Sequence, residues 1–243
     1  MLHFTFIATV ETHTKQRPAN RYFLAAFCVL LFLLGQTFQQ LAYQLWIPSP
    51  DDPANALLVY LNRVDQLRAI ILIFSILVLL IPYIAAAQRF RHVAPLASAV
   101  GLIGGIAFIG FELTARSIDL LLVGQQWAHQ FQAATASSVR EMILQRFQLW
   151  NDFEHAWYFP LLLSHFVSSC GYCVATWKSS GWYRLGAIAF LLNDLRLVGR
   201  ILSMFAGQRW LESLNNAAYL PAVLVVNVML IVWFLLLAKE TIG

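Results

Sequence analysis

Residues 66–88 read QLRAIILIFSILVLLIPYIAAAQ, and no charged residue follows Arg68 within this stretch. A helix needs about 20 predominantly apolar residues to cross about 30 Å of hydrocarbon. Strands would leave backbone groups unsatisfied in lipid, so the stretch predicts a transmembrane helix. Five more segments meet the same test, and the predicted spans are 22–46, 66–88, 93–118, 152–178, 181–205 and 215–239. We therefore expect an all-α polytopic membrane protein, with six helices in one bundle that forms one domain over residues 22–239.

The composition also indicates a membrane protein. Hydrophobic residues make up 60% of the chain and charged residues 12%, and the mean hydropathy is +0.66. Soluble domains average about 45–50% and about 25%, so these values exclude a disordered chain, a collagen-like chain and most water-soluble enzymes. The net charge of +4 comes from Lys and Arg residues scattered between apolar blocks. Nucleic-acid binding needs clustered cations, so we expect the lipid bilayer as a partner and no nucleic acid.

The two ends of the chain predict its orientation. Residues 1–21 form a polar leader, and no small-x-small cleavage site follows it, so we expect the first apolar run to be retained as a span. Six spans place both termini on one side of the membrane. More Lys and Arg residues fall on that side, including all the lysines, Lys15, Lys178 and Lys239. The positive-inside rule then predicts a bacterial inner-membrane protein whose leader and C-terminus are cytoplasmic.

The connection between the third and fourth spans, residues 124–151, is the only long one. Apolar residues recur in it at helical spacing, with charged and amide side chains elsewhere around the helix; they are Val139, Met142, Ile143, Phe147 and Trp150. This pattern predicts an amphipathic helix that lies at the membrane interface.

The third span contains small residues four apart, Ala97, Gly101 and Gly105. Small residues let helix backbones approach closely in lipid, so the stripe predicts a helix contact. No strand and no phosphate ligands accompany these glycines, and we expect no nucleotide-binding loop here.

Charged residues concentrate in the outer halves of the predicted spans. Each ionisable side chain inside a span is costly and needs a partner or water. In the third span, Glu112, Arg116 and Asp119 lie at i, i+4 and i+7. This spacing places them on one helix face, where adjacent charges can pair.

A second polar stripe lies in the fifth span. Asn193, Arg196 and Arg200 occupy positions i, i+3 and i+7, and Asp194 lies beside the first of them. We expect this stripe to face the charged stripe of the third span. The expected ion pairs join Asp194 to Arg196 or Arg200, and Glu112 to an arginine of the fifth helix.

Two interpretations of these stripes remain open. The ion pairs could serve only to hold the helices together, with the members near the surface reaching water. Alternatively, the stripes could line a water-accessible cavity open to the outer side, with Asn193 and Asp194 at its floor and the amphipathic connection as its lid. Arginines in such a cavity suit an anionic group, a carboxylate or a lipid phosphate. The ligand-binding candidates are Glu112, Arg116, Asp119, His155, Asn193, Asp194, Arg196 and Arg200.

Other chemical signals are weaker. Cys170 and Cys173 have the C-x-x-C spacing of thiol redox enzymes, but buried small residues explain them as well. His155 and His165 are ten positions apart and do not share a helix face, which disfavours haem. No Glu-x-x-His pattern supports a metal. His155 beside Glu154 could act as an acid or base, but a residue in this position more often marks the water boundary. We expect no cofactor, no metal and no catalytic residue.

The leading functional hypothesis is a protein that binds a small anionic or lipid-like ligand, or an accessory subunit of a larger membrane complex. The alternative is a secondary transporter or a membrane-embedded enzyme that uses Asp194, Glu112 and His155. A transporter needs a polar path to both faces, whereas the inner halves of the predicted spans hold almost no polar residues.

Three stretches resemble a family of bacterial six-helix membrane proteins, the domain-of-unknown-function family 4386. They are Leu61-Asn62-Arg63-Val64-Asp65, Gly110-Phe111-Glu112-Leu113-Thr114-Ala115-Arg116, and the last helix from Leu220-Pro221 to Trp233 and Lys239. The resemblance covers about residues 20–240 and implies a six-helix architecture. That family has an acidic residue in its final helix where this chain has Asn227. The resemblance implies no activity.

Overall fold

The structure is a computed structural model that describes residues 2–47, 50, 52–177, 179–206 and 209–241, with side chains described outside 2–18, 209–212 and 215–217. The residues in these ranges form helices joined by short turns and include no strand, which confirms the predicted all-α class. The α-helices are α1 (Leu2–Leu45), α2 (Pro53–Val59), α3 (Arg63–Leu77), α4 (Leu80–Phe90), α5 (Pro95–Ser117), α6 (His129–Ala133), α7 (Ser137–Thr176), α8 (Leu185–Phe205) and α9 (Arg209–Glu240). A π-helix (Ile118–Ala128) joins α5 to α6, and a 3-10 turn (Gly181–Arg184) precedes α8.

Five helical segments are long and apolar enough to cross a membrane, as in a multi-pass membrane protein. They are Ala19–Leu45, Arg63–Phe90, Pro95–Ala133, Ser137–Thr176 and Ala218–Glu240. The predicted span 181–205 corresponds to α8, which has 21 residues. α8 is not among the five because Asp194, Arg196 and Arg200 interrupt its apolar sequence.

Helix α1 begins much earlier than its predicted span. It runs as one helix from Leu2, so residues 2–20 of the predicted leader are helical and Asn20 lies inside the helix. The sequence also predicts Asn20 as the N-cap that opens the first span, and this prediction is wrong. The apolar part of α1, Ala19–Leu45, agrees with the predicted first span to within a few residues.

The predicted amphipathic helix between the third and fourth spans is not a separate element. α7 continues without a break through 137–176 and so joins residues 137–151 to the predicted fourth span. On the other side, Pro95–Ala133 forms 39 continuous helical residues, and α7 has 40. At about 1.5 Å per residue, both helical segments approach 60 Å, twice the hydrocarbon thickness. They form a hairpin that extends well past the length of one span.

The apolar face of this hairpin is covered by protein. Ile143, Phe147 and Trp150 of α7 are buried in a cluster with Leu57 of α2 and Phe131 of α6. The predicted apolar face is therefore buried at Ile143, Phe147 and Trp150, while Val139 and Met142, which the same spacing includes, are exposed.

The long helices contact one another in a closed order. α5 packs along α7, α7 along α8, α8 along α9 and α9 along α1, while α3 and α4 lie between α1 and α5. Near the C-terminal ends of α7 and α9 and the N-terminal end of α8, the largest apolar cluster of the described residues buries Tyr172, Phe190 and Trp233.

In the small-residue stripe of α5, Ala97 and Gly101 lie against Gly171 of α7, whereas Gly105 faces Tyr83 of α4. A Cβ atom on Gly104 would lie 2.6 Å from the Ser168 backbone nitrogen, so the two backbones touch there. The Ser168 hydroxyl donates to the carbonyl oxygen of Gly101 at 2.7 Å. This close contact fixes α5 relative to α7. Charged residues lie toward the C-terminal end of α5 and the N-terminal end of α7.

Candidate functional site

A cavity of about 420 Å³ lies between the helices, and we call it the central cavity. Its lining comes from α1, the α3–α4 segment, α5, α7, α8 and α9. One end is polar and includes Gln36, Gln39, Gln40, Tyr43 and Tyr219; the opposite, apolar end includes Val29, Ala86, Phe190, Leu230 and Phe234. Its volume lies within the range of about 300–1,000 Å³ that is typical of small-ligand pockets.

The α3–α4 junction is shaped by Pro82, which lines the cavity. Proline has no N–H to donate to the carbonyl four residues earlier, at Val78. The helix tightens there, because the Leu79 nitrogen donates to Ile76 and the Ile81 nitrogen to Val78, three residues back. The backbone hydrogen bonds therefore change to the i→i−3 pattern for one turn, and the chain stays helical on both sides of it.

Arg116 of α5 is the centre of a dense ionic cluster on one wall of the cavity. Its guanidinium donates to Glu112 at 3.1 Å, to Asp119 at 2.9 Å and to Glu154 of α7 at 3.4 Å, and also to the Tyr158 hydroxyl. The Arg116 side chain is 10% exposed, and those of Glu112, Asp119 and Glu154 are 12%, 7% and 17% exposed. We call these five residues the Arg116 cluster. Its guanidinium is fully occupied by the protein itself.

Trp150 of α7 is the sixth member of the Arg116 cluster. Its indole N–H donates to the second carboxylate oxygen of Asp119 at 2.9 Å. The π-helix begins at Ile118, between Arg116 and Asp119, so the carboxylate belongs to the segment of unusual backbone. The predicted stripe Glu112, Arg116 and Asp119 is thus brought together, mainly around the arginine.

Sequence reasoning missed the α7 members of the cluster. Trp150, Glu154 and Tyr158 lie at i, i+4 and i+8, a polar stripe on one face of a helix. This spacing could have identified the three residues from the sequence as one polar face of a helix.

The wall formed by α8 is different. The guanidinium of Arg196 donates to Asn193 Oδ1 at 3.0 and 3.2 Å, and its centre lies 5.8 Å from the ring centroid of Tyr219. The Asn193 amide nitrogen lies 3.3 Å from Nε2 of His165. Arg196 and Arg200 both line the cavity. Among the side chains that the structure describes, neither arginine has an acidic side chain within ion-pair distance.

Three predicted site residues, Asp119, Asp194 and His155, do not line the central cavity, and Asp119 is linked to it only through Arg116. Asp194 lies outside its lining, faces Ser169 and Cys170 of α7, and has one buried carboxylate oxygen without a hydrogen-bond partner. His155 is exposed and its ring lies 5.3 Å from that of Phe205. Asn193 therefore lines the cavity and Asp194 does not.

The predicted ion pairs between the two stripes are also absent from the part of the chain that the structure describes. Asp194 forms no ion pair with Arg196 or Arg200, and Glu112 pairs with Arg116 of its own helix. Neighbouring residues on a helix point about 100° apart, so Asp194 turns away when Asn193 faces the cavity.

A second ion pair lies beside the Arg116 cluster. Arg68 donates to Asp65 at 2.8 Å and lies 4.5 Å from the Tyr43 ring centroid, with both charged side chains nearly buried. One Arg68 nitrogen, Nη1, has no partner and a void of about 10 Å³ adjoins the side chain. Burial, together with Asp119 nearby, raises the pKa of the Tyr60 hydroxyl, which borders the same void.

The described residues contain no group of three or more His, Cys, Asp or Glu side chains that could hold a metal ion. Cys170 and Cys173 are free, and the Cys173 thiol donates to the Ala187 carbonyl oxygen at 3.6 Å. That contact accounts for Cys173 as a packing residue between α7 and α8.

Comparison with known proteins gives no match, whether to a family model, to a curated protein or to a solved structure. The resemblance to the six-helix family stays a prediction, and the functional argument rests on the geometry of the cavity.

Proposed function

We propose that this chain is a bacterial inner-membrane protein that holds a small anionic or lipid-like ligand in the central cavity. In this proposal α8 is the sixth span of a bundle, both termini are cytoplasmic, and the polar end of the cavity lies toward the outer face. α8 has 21 residues, about the length that crosses the hydrocarbon. Arg196 and Arg200 line the cavity, which reduces the cost of placing their charges in a span.

The observation that carries the proposal is the contrast between the arginines of one cavity. Arg116 is surrounded by three carboxylates, whereas Arg196 and Arg200 have no acidic partner among the described side chains. A partly buried cation without a counter-charge is costly, and an anionic ligand would supply that charge. The planar guanidinium matches the oxygens of a carboxylate or phosphate.

The geometry favours binding over the alternative of an enzyme. His155 and Asp194, which that alternative requires, lie outside the cavity lining. A role as an accessory subunit is compatible with the same cavity, because the exposed apolar faces of the helices can meet lipid or a partner helix.

The test compares two probes that share a tail and differ in head charge, dodecyl phosphate and dodecyltrimethylammonium. Native mass spectrometry of the protein held in amphipol should find one bound dodecyl phosphate and no comparable complex with the cation. The double variant Arg196→Gln/Arg200→Gln should weaken dodecyl phosphate binding at least tenfold. Arg63→Gln removes an exposed arginine outside the cavity and should leave binding unchanged.

Equal binding of the two probes, or unchanged binding in the double variant, would contradict the proposal. Flux of the anion across proteoliposomes that is lost in the double variant would instead establish the transporter alternative.

A further inference from the structure

The polarity of the central cavity changes along its length. On α9, the lining runs from Tyr219 through Asn227 to Phe234, about 22 Å at 1.5 Å per residue. Gln36 lines the cavity beside Tyr219, and the Tyr219 hydroxyl donates to the Gln36 side-chain oxygen at 3.1 Å. At the opposite end, the lining side chains are hydrocarbon or aromatic.

The hydroxyl groups near the apolar end are already satisfied. Ser168 donates to the Gly101 carbonyl oxygen and Ser169 to that of Phe190, at 2.7 and 2.9 Å. Both hydroxyls therefore serve backbone contacts between helices. No charged side chain lines the apolar end in the described ranges, so a hydrophilic ligand would find no partner there.

On α8, Arg196 and Arg200 lie farther from the apolar end of the cavity than Phe190 does. Arg196 and Arg200 follow Phe190 by six and ten positions, which is about 9 and 15 Å along α8. An anion bound at these guanidinium groups occupies only the middle and polar part of the cavity. The apolar remainder suits a hydrocarbon chain attached to that anion, because a cavity lined in this way does not favour water.

We infer that the ligand class is a single-chain anionic amphiphile, with its carboxylate or phosphate at Arg196 and Arg200 and its chain directed toward Val29, Leu230 and Phe234. This inference rests on the proposed function and adds the chain and its direction. A two-chain phospholipid is much larger than the drug-sized ligands that pockets of about 420 Å³ enclose. A free inorganic anion would leave the apolar end unfilled.

Chain length provides the test. Alkyl phosphates from butyl to hexadecyl are equilibrated by dialysis with the protein in amphipol, with the free monomer in water as the reference. Each added methylene that enters the cavity should tighten binding about fourfold, until the apolar end is filled and the affinity stops rising. Nonspecific partition of the alkyl phosphates into the amphipol would also increase with chain length, but by the same amount for every variant.

Two substitutions move the expected plateau in opposite directions. Val29→Phe fills part of the apolar end and should shift the plateau to shorter chains, while butyl phosphate binding changes less than twofold. Leu230→Ala enlarges that end and should shift the plateau to longer chains. Val228→Phe is the matched control, because Val228 is 49% exposed on the outside of α9, and its plateau should equal that of the unmodified protein.

The outcomes separate this inference from the proposed function. Arginine-dependent binding that is flat with chain length would overturn the inference and leave the proposed function standing. A plateau that neither Val29→Phe nor Leu230→Ala moves, in variants that keep butyl phosphate binding, would place the chain elsewhere and also overturn it. Loss of arginine-dependent binding for every alkyl phosphate would overturn both.

Discussion

Arg116 on α5 and Arg196 on α8 line the same cavity in opposite surroundings. Arg116 donates to Glu112, Asp119 and Glu154, two of which belong to its own helical segment, whereas Arg196 donates to the neutral amide of Asn193. On the α5–α7 wall, each nitrogen of the Arg116 guanidinium group donates to a protein group, whereas the α8 wall leaves positive charge facing the cavity. The same residue type thus has carboxylate partners on one wall and, in the proposed function, meets the ligand on the other, and measurements of stability can separate the two.

The largest effect is expected when the centre of the closed wall is removed. Arg116→Met leaves Glu112, Asp119 and Glu154 close together without their shared cation. Removing one partner of a buried ionic network costs about 3–5 kcal/mol. The free energy of unfolding, measured by SDS titration of the protein in mixed micelles, should fall by that amount. A loss below about 1 kcal/mol would show that these carboxylates do not depend on Arg116.

The next effect concerns the hydrogen bond from α7 to the same cluster. Trp150→Phe removes the N–H that Asp119 accepts at 2.9 Å, and a bond to a charged group contributes about 1.5–3 kcal/mol. Trp157→Phe is the control, because Trp157 donates to the neutral carbonyl oxygen of Phe111 at 3.1 Å. The control should lose only about 0.5–1.5 kcal/mol. Equal losses on SDS titration would mean that the charge of Asp119 adds nothing to the wall.

Close packing of the same wall gives a third measurement. In Gly104→Ala the new methyl group meets backbone atoms of Ser164 and Ser168 within 2.9 Å, which α7 can relieve only by moving away. We expect a loss of about 1–3 kcal/mol. Gly110→Ala lies on the same helix with nothing within 4 Å of the added carbon, and it should be neutral or stabilising by up to about 1 kcal/mol. A neutral Gly104→Ala would show that α5 and α7 are not held at backbone contact.

Local spacing predicted the charged stripe of α5 but not its partners. Glu112, Arg116 and Asp119 follow from positions one helical turn apart, since pairing within one segment needs no knowledge of other helices. Glu154 and Tyr158 join them only because of the rotation and register of α7 against α5. Those depend on close contacts such as the one at Gly104, which a single sequence does not display.

The prediction for residues 124–151 shows a second limit. The spacing of Ile143, Phe147 and Trp150 correctly indicated a buried helix face, but apolar side chains do not distinguish lipid from protein as the covering. The short helix α2, which contributes Leu57, was not predicted. Asp194 was assigned to the floor with Asn193 although adjacent helix positions point in different directions. The rotation of each helix about its own axis determines which of its side chains face the cavity or a neighbouring helix.

The smallest effect on stability is expected at the open wall. Arg200→Met makes the same chemical change as Arg116→Met in the same cavity, but Arg200 has no acidic partner in the described ranges. Because no carboxylate loses its cation, the free energy of unfolding should change by less than about 1 kcal/mol, and removing an uncompensated charge could raise it. The same SDS titration measures both variants. A loss for Arg200→Met close to that for Arg116→Met would mean that Arg200 stabilises the fold and is not held free for an anion.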